Sequence, residues 1–253
     1  MNKLAFSKPS QGEEEARLLF TRFRGVGYDG LQLKAGQYLP YLGDPGRFIG
    51  NWGGFQGSAS ALIWWGKLDG DGTAALRRVF TFAEAVGSEI IVFCHDAARE
   101  ELTDDDIRRF ARRVSELCKE ARDRGLRLSL HNHYGQPVMH RRDFDLFFGA
   151  VEDAAVGLTI DTAHLAKSGV EDIGEVIRAF PAVIDNFHLK DFADGGFKVL
   201  GTGRIDFEPV FESIREIGYS GWVSADEESG ADMLQAMEQC YRFMRAGLAA
   251  HDR

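Results

Sequence analysis

The sequence predicts a single α/β barrel, in which eight parallel strands alternate with helices over residues 1–253. Three observations predict this fold class. Roughly eight apolar segments of strand length alternate with amphipathic segments of helix length, which is the element order of a TIM-type barrel. The chain length of 253 residues is normal for one barrel domain. No linker, low-complexity tract or block of like charges divides the sequence.

The predicted strands are short apolar segments that end at polar residues or turns. The clearest is segment 89–95, whose nearly continuous apolar character is typical of a strand buried on both faces. In chain order, strands are predicted at residues 3–7, 31–34, 60–65, 89–95, 126–133, 156–161, 183–190 and 221–226.

The predicted helices are amphipathic segments with charged first turns or glycine stops. The strongest is segment 104–124, where three aspartates favour the positive end of the helix dipole and Gly125 ends the pattern. Helices are predicted at residues 13–24, 73–86, 104–124, 142–151, 173–180, 207–217 and 233–248. Segment 36–57 is rich in glycine, proline and aromatic residues, so a long loop with at most one short helix is predicted there, where a barrel could build a lid.

The overall composition disfavours several classes of function. The formal charge of −9 argues against nucleic acid as a partner, because phosphate binding calls for a basic surface. Cys94, Cys118 and Cys240 are odd in number and far apart, which indicates free thiols in a reducing cytoplasm. The apolar stretch at residues 1–6 is too short for a signal peptide, and no later run is long enough to span a membrane. The expected partner is therefore a small molecule, and a homo-oligomer stays open.

Polar residues collect at the carboxyl ends of the predicted strands, where barrel enzymes place their chemistry. Five of the seven histidines lie at or just past such ends, namely His95, His131, His133, His164 and His188. Side chains alternate along a strand, so an apolar parity facing the helices leaves the other parity to face the barrel interior. By this rule, the inward side chains at the strand ends are His131, His133, Asp161, His188, Lys190, Asp226 and Glu228.

These inward imidazoles and carboxylates need a cation or one another, because an unpaired buried charge is costly. The hypothesis is that four strand ends converge on one divalent metal ion. A hydrogen-bonded core network is the alternative for any single histidine. Mixed imidazole and carboxylate ligation favours Mn²⁺, Co²⁺, Fe²⁺ or Zn²⁺ over Ca²⁺. Mn²⁺ is the first expectation, and Mg²⁺ also stays open.

Six short motifs resemble a known family in their order and spacing. They are Gly-Tyr-Asp-Gly-Leu-Gln-Leu at 27–33, Leu-His-Asn-His at 130–133, Ile-Asp-Thr-Ala-His at 160–164, His-Leu-Lys-Asp at 188–191, Gly-Thr-Gly-Arg-Ile-Asp-Phe at 201–207 and Gly-Tyr-Ser-Gly-Trp-Val-Ser-Ala-Asp at 218–226. With these motifs, the sequence resembles the sugar phosphate isomerase/epimerase family of xylose isomerase-like TIM barrels. That family includes ketose 3-epimerases, hydroxypyruvate isomerases and inosose dehydratases.

The resemblance implies one metal ion held by Glu, Asp, His and Glu from successive strands. Asp161 and His188 match the family positions directly, whereas His131 and Asp226 stand where the family has its two glutamates. The implied metal ligands are therefore His131, Asp161, His188 and Asp226. Glu228 lies on the same strand face as Asp226 and is the other candidate for the last ligand.

The two replaced glutamates also matter for catalysis, because in the 3-epimerases they exchange the substrate proton. Glu228 and His133 are the candidate bases here. Lys190 would steady an enediolate oxygen, or pair with Asp191 or another carboxylate. The substrate-binding candidates are His95, His164 and Lys34. A structural role is the alternative for His95, and orientation of the loop after the sixth strand is the alternative for His164.

The resulting hypothesis is a metal-dependent isomerase or epimerase of a small sugar or polyol-derived carbonyl compound, acting through an enediolate. An inosose-type dehydratase forms the same intermediate but expels a β-hydroxyl group, so it is the first alternative. A non-catalytic sugar- or metal-binding barrel and an AP-endonuclease-type DNA-repair enzyme are the others, and the acidic charge disfavours the last. The sequence leaves open the sugar, its phosphorylation and the metal.

Overall fold

A computed structural model describes residues 2–53 and 57–249. Within these residues, eight parallel strands close into a barrel, as the sequence predicts. The barrel strands are β1 (Lys3–Ser7), β2 (Gly30–Leu33), β3 (Ala61–Gly66), β4 (Ile90–His95), β5 (Arg127–His131), β6 (Gly157–Asp161), β7 (Ile184–Leu189) and β10 (Trp222–Asp226). The barrel closes where β1 pairs with both β2 and β10. An antiparallel hairpin of β8 (Asp191–Ala193) and β9 (Gly196–Lys198) follows β7.

Helices cover the outside of the barrel between successive strands. They are α1 (Gly12–Val26), α2 (Ala35–Tyr38), α3 (Pro45–Trp52), α4 (Gly70–Val86), α5 (Asp104–Arg122), α6 (Arg141–Phe148), α7 (Thr162–Lys167), α8 (Ile173–Ala179), α9 (Glu208–Glu216) and α10 (Met233–Leu248). Short 3₁₀ helices lie at Leu39–Tyr41 and Arg99–Glu101. None of these helices combines the length and the apolar character needed to cross a lipid bilayer.

The predicted loop at residues 36–57 is wrong, because two α-helices and a 3₁₀ helix occupy most of it. Asp44 caps α3 by accepting a backbone N–H at 3.0 Å. Phe48 of α3 is fully buried and packs edge-on against Phe82 at 5.4 Å. This burial stabilises a helix that its glycine-containing sequence disfavours. Residues 54–56 of the predicted loop lie outside the described residues.

Two elements at the carboxyl end of the barrel have no counterpart in the predictions. α7 starts directly after β6, because the Asp161 carboxylate accepts the backbone N–H of His164 at 2.9 Å and caps the helix. A single residue, Lys190, separates the end of β7 from the start of the β8–β9 hairpin. In addition, β5 ends at His131, two residues before the predicted strand end, so His133 lies in the loop beyond it. The other barrel strands match the predictions to within one residue at each end.

The core has two parts, which leave one end of the barrel interior polar. The larger part lies between the sheet and the helices. The smaller part lies inside the barrel and contains Ala5, Ala61, Ile90, Val92 and Trp222. These apolar residues stand in the first half or the middle of their strands, and polar residues follow them toward the carboxyl ends. The candidate site is therefore at the carboxyl end of the barrel, where the sequence predicts it.

Candidate metal centre and active site

Four adjacent strands bring the predicted metal ligands to the same end of the barrel. β5, β6, β7 and β10 are neighbours in the sheet, and Asp161 is in register with His188 across the β6–β7 pair. His131 and Asp226 are the last residues of the strands on either side. All four residues are buried, and none has more than 5% of its surface exposed to solvent. The parity of the strands accounts for this convergence.

His131, Asp161 and His188 form the tightest group. Each offers one ligand atom, and these atoms lie within 4.8 Å of one another. His131 Nε2 is 3.4 Å from Asp161 Oδ2, and the ring centroids of His131 and His188 are 5.0 Å apart. Two imidazoles and a carboxylate are a donor set that suits Zn²⁺, Mn²⁺, Co²⁺ or Fe²⁺.

Several buried polar atoms in this group have no hydrogen-bond partner among the described residues. Such atoms indicate whether a cation would fit, because a bound cation would supply the missing partner. Among the described residues, Asp161 Oδ2, His131 Nδ1 and His188 Nδ1 have no such partner. A buried polar atom without a hydrogen bond costs about 1–3 kcal/mol. A divalent cation within the group would use lone pairs of this kind. The residues present therefore fit the metal ion that the sequence predicts.

Two of the three residues, His188 and Asp161, already have the protonation state that metal ligation needs. Burial lowers the pKa of His188 to about 3, so its imidazole is neutral near neutral pH. Burial disfavours the Asp161 carboxylate, but the charge of Lys190 outweighs it and holds the pKa of Asp161 well below its usual range. Burial opposes the charged form of His131, yet Cys94 and Asp161 raise its pKa to about 10. A metal ion that binds His131 must therefore displace a proton.

Asp226, the fourth predicted ligand, is held by two lysines. Its Oδ2 lies 2.6 Å from Lys190 Nζ and 3.7 Å from His188 Nδ1. Its Oδ1 lies 2.6 Å from Lys34 Nζ, in an ionic contact that lacks hydrogen-bond geometry. Asp226 therefore approaches the group of three ligands through the same oxygen that contacts Lys190.

Glu228 completes this cluster of charges. Its two oxygens accept hydrogen bonds from Lys34 and Lys190, at 2.7 Å each. Burial and Asp226 raise the pKa of Glu228, but the two lysines outweigh them and lower it, so Glu228 is ionised. Burial disfavours the Lys190 ammonium, yet the surrounding carboxylates, Asp161 first, raise its pKa well above the usual range. Lys190 is thus a hydrogen-bond or proton donor, and its protonation excludes it as an amine nucleophile.

The rings of His133 and His164 contact each other beside His131, with their centroids 3.7 Å apart and their planes tilted by 35°. Burial lowers the pKa of His133 to about 4 and that of His164 to about 2, so both imidazoles are neutral near neutral pH. His164 Nδ1 accepts the backbone N–H of Tyr134 at 3.4 Å, which fixes the loop after β5. His133 is only partly buried. It is therefore the neutral imidazole that a substrate can reach.

His95, a predicted substrate-binding residue, does not join these residues. Its ring stacks on Phe110 of α5 at 4.5 Å and lines a separate cavity of about 660 Å³. The parity of β4 is the reason, since Val92 faces the barrel interior and the next residue on that face is Cys94. Cys94 interacts with His131 and is the residue that the prediction missed. Because β4 is apolar on both faces, its sequence carries no sign of which parity points inward.

Asp191 fixes the backbone next to the site. Its carboxylate accepts backbone N–H groups at 2.7–3.2 Å from Phe192, Gly201, Gly203 and Ile205. These bonds tie the segment after β9 to the residue that follows Lys190. A Cβ at Gly203 would stand only 2.2 Å from Asp191 Oδ1, so glycine is required there. Asp191 is therefore structural, and Lys190 pairs with other carboxylates.

Asp191→Ala is expected to lower the free energy of unfolding by about 2–4 kcal/mol, because it removes the acceptor of four backbone N–H groups at once. Urea unfolding followed by circular dichroism measures this loss. Asp206→Ala is the matched control, since Asp206 accepts a single N–H at an exposed position. Its expected cost is about 1 kcal/mol or less. Equal losses in the two variants would contradict the structural role given to Asp191.

Comparison with known proteins decides the family. The family model described as the xylose isomerase-like TIM barrel matches residues 41–246. The chain belongs to the xylose isomerase-like TIM barrel family. The resemblance inferred from the six motifs is thereby confirmed, as is the barrel fold.

Curated relatives of this xylose isomerase-like barrel include inosose dehydratases. The inosose dehydratase of Lacticaseibacillus casei is 28% identical over 187 residues, which cover 61% of this chain and 62% of the relative. That of Clostridium tetani is 30% identical over 155 residues, which cover 54% of this chain and 52% of the relative. The chain thus spans between half and two thirds of the length of these relatives.

Solved structures of other proteins share the xylose isomerase-like fold. The structure of the IolI protein with a bound zinc atom has a TM-score of 0.81 at 18% identity, and the match covers 97% of this chain and 98% of that one. The structure of L-ribulose 3-epimerase has a TM-score of 0.80, also at 18% identity, and the match covers 98% of this chain and 95% of that one. At these identities the likeness shows the fold alone.

Proposed function

We propose that the protein is a metal-dependent enzyme that removes the proton next to the carbonyl group of a small polyhydroxy compound. The group of His131, Asp161 and His188 at the carboxyl end of the barrel carries this proposal, because each of the three has a buried polar atom with no hydrogen-bond partner among the described residues. A divalent cation held there would act as a Lewis acid and make the neighbouring C–H group more acidic. The formal charge of −9 supports a small molecule over nucleic acid as the substrate.

The choice of metal follows from the donor set and from the similar structures. Two imidazoles and one or two carboxylates suit Mn²⁺, Zn²⁺, Co²⁺ and Fe²⁺. The zinc atom in the similar IolI structure supports metal binding at a barrel of this kind. Mn²⁺ and Zn²⁺ are therefore the first two ions to test, before Co²⁺, Fe²⁺ and Mg²⁺.

Different residues of the chain would accept the proton and stabilise the negative charge that forms. His133 is the proposed base, because its imidazole is neutral and partly open to the barrel mouth. Lys190 donates a hydrogen bond to the substrate oxygen that gains negative charge as the proton leaves. Glu228 and Asp226 hold the Lys190 ammonium in place, and Glu228 is the second choice as base, since lysines engage both its oxygens. Lys34 lies at the edge of the same cluster, where it would contact a substrate hydroxyl.

Loss of water is the fate of the enediolate that we favour. The curated relatives at 28–30% identity are named inosose dehydratases. In such a step, His133 takes the proton next to the carbonyl, the β-carbon–oxygen bond breaks, and the protonated Lys190 gives its proton to the departing hydroxyl, which leaves as water. Lys190 is protonated and donates a hydrogen bond to the ionised Glu228, so it carries the proton that this step needs.

Isomerisation or epimerisation is the second candidate, and the names of some of the similar structures support it. They include L-ribulose 3-epimerase and D-psicose 3-epimerase. Epimerisation needs two proton carriers, and His133 after β5 and Glu228 after β10 would be the pair. The two reactions share the first proton removal and differ only in what the enediolate does next.

Exchange of substrate hydrogen with D₂O is the experiment that tests the shared step. We expect the protein with Mn²⁺ to incorporate deuterium next to the carbonyl of an inosose or a ketose, as followed by NMR. Mass spectrometry then separates a product that has lost water from an isomer of the same mass. His133→Ala should slow the exchange, and Lys167→Ala, at an exposed lysine on α7, is the control. A metal-loaded protein that gives neither exchange nor product across a panel of ketoses and inososes would contradict the proposal and favour a non-catalytic binder.

A further inference from the structure

Two buried amide side chains bond to each other across the inside of the barrel. Gln32 is on β2 and Asn186 is on β7, strands that are separated in the sheet by β1 and β10. Gln32 Nε2 donates to Asn186 Oδ1 at 2.8 Å, and Asn186 Nδ2 donates to Gln32 Oε1 at 3.1 Å. Both residues are at most 1% exposed. A polar pair of this kind in a barrel interior is costly unless every polar atom is used.

The Gln32 amide also contacts the candidate metal ligand His188. His188 Nε2 lies 2.8 Å from Gln32 Oε1. An amide oxygen only accepts hydrogen bonds, so in this arrangement Nε2 carries the imidazole proton. Nδ1 is then left with its lone pair, and among the described residues it has no hydrogen-bond partner. The free lone pair is the one on the side of Asp226, since Nδ1 is 3.7 Å from Asp226 Oδ2.

A chain of hydrogen bonds through two hydroxyl groups determines the orientation of the Gln32 and Asn186 amides, that is, the side on which each places its oxygen and its NH₂ group. A bulge between β6 and β7 sets Asp185 out of register, and its Oδ1 accepts the Ser129 hydroxyl at 2.5 Å. The Thr159 hydroxyl lies 2.7 Å from that of Ser129, and Asn186 Nδ2 lies 3.4 Å from Thr159 Oγ1.

The hydrogen bonds in this chain can all be satisfied only when each group donates toward Asp185. Ser129 gives its only proton to Asp185, so the Thr159 hydroxyl donates to Ser129 and Asn186 must present its NH₂ group to Thr159. If both amides were reversed, the Thr159 proton would be drawn to Asn186, and the oxygens of Thr159 and Ser129 would face each other without a proton. The Asp185 carboxylate thereby determines which group donates in each hydrogen bond, from Ser129 up to the His188 imidazole.

We propose that Gln32 is a positioning residue that holds His188 in its Nε2–H form, so that Nδ1 is the atom presented to the metal ion. The Asp185 carboxylate sets the orientation of Gln32 through Ser129, Thr159 and Asn186. The use of Nδ1 in ligation rests on the proposed function, whereas the position of the proton does not. Partners behind a metal-ligating histidine commonly set its protonated nitrogen and raise metal affinity.

The test is ¹H–¹⁵N NMR of the full chain with ¹⁵N-labelled histidine, in the absence of metal. Mildly alkaline pH is used, because burial raises the pKa of Asp185 to about 6 and its carboxylate must be ionised. The variant His188→Asn assigns the His188 signals. We expect the wild-type protein to show a protonated Nε2 and an unprotonated Nδ1. Titration with Zn²⁺ then measures affinity separately.

Two substitutions at Gln32 separate positioning from packing. Gln32→Met keeps the volume but removes the acceptor, so a mixture of the two imidazole forms and a zinc affinity lower by about 10–100-fold are expected. Gln32→Glu keeps an acceptor and should keep Nε2 protonated. Gln136→Met is the matched control, since Gln136 is also buried but its amide has no partner among the described residues. It should change neither the spectrum nor the zinc affinity.

The outcomes are distinct. A wild-type protein with the proton on Nδ1 would overturn the proposal without any variant. So would a folded Gln32→Met protein that keeps Nε2 protonated and binds zinc within about twofold of wild type. If Gln32→Met does not fold, the spectra of the wild type and of Gln32→Glu still show which nitrogen of His188 carries the proton. A wild-type protein that shows the Nε2–H form but binds no metal ion would contradict the proposed function and leave the positioning role intact.

Discussion

Asp161→Asn is expected to lower the affinity for Mn²⁺ and Zn²⁺ by more than about 100-fold, because loss of a ligand should exceed loss of a group that only supports one. The substitution removes the charge at Oδ2, which lies 3.4 Å from His131 Nε2. An asparagine keeps an oxygen that can accept the backbone N–H of His164, so the cap of α7 should persist. Isothermal titration calorimetry measures the affinity, and circular dichroism checks the fold.

The matched control for this variant is Asp145→Asn on α6. Asp145 is exposed and pairs with Arg141, so its amide replacement should leave metal affinity unchanged. Turnover should fall together with metal binding in Asp161→Asn and stay at the wild-type level in the control. Metal binding by Asp161→Asn as tight as that of the wild type would mean that Asp161 is not a ligand.

Lys190→Met is expected to lower the free energy of unfolding by about 3–5 kcal/mol when metal is removed, because it breaks a buried ion pair and leaves carboxylates without their cation. Lys190 Nζ lies 2.6 Å from Asp226 Oδ2 and 3.4 Å from Asp161 Oδ2, and all three side chains are at most 2% exposed. Mn²⁺ should restore part of the loss, since it brings positive charge to the same carboxylates. Urea unfolding with a chelator and with added Mn²⁺ measures both effects.

Lys167→Met on α7 is the control for Lys190→Met. Lys167 is exposed and lies over the Tyr134 ring at 4.7 Å, a contact worth about 1 kcal/mol or less. A loss of similar size in the two variants would show that the buried cluster does not depend on the Lys190 charge. A large loss in Lys190→Met that Mn²⁺ fails to reduce would show that the metal ion and the ammonium serve different carboxylates.

Much of the fold follows from patterns that the sequence displays locally. Apolar strand segments alternate with amphipathic helices, and α10 has the predicted bounds of residues 233–248. The elements at residues 35–52 and the β8–β9 hairpin were missed for a physical reason. Their stability comes from tertiary contacts, such as the burial of Phe48 and the four N–H groups bound by Asp191, and such contacts do not appear in local propensity.

The candidate site shows the same division. Strand parity was enough to bring together His131, Asp161 and His188, because alternate residues of a strand share one face. The position of His95 could not be predicted, since its strand is apolar on both faces. The contact of Asp226 with two lysines also could not be predicted from the sequence, because Lys34 directly follows β2, far away in the chain.

The most direct test of the central claim is anomalous diffraction from crystals of the full chain grown with Mn²⁺. Three strand ends are claimed to hold one cation, so the account predicts one strong anomalous peak per chain between His131, Asp161 and His188, with His188 Nδ1 facing the peak. A peak at another place, or none at saturating Mn²⁺, would contradict it.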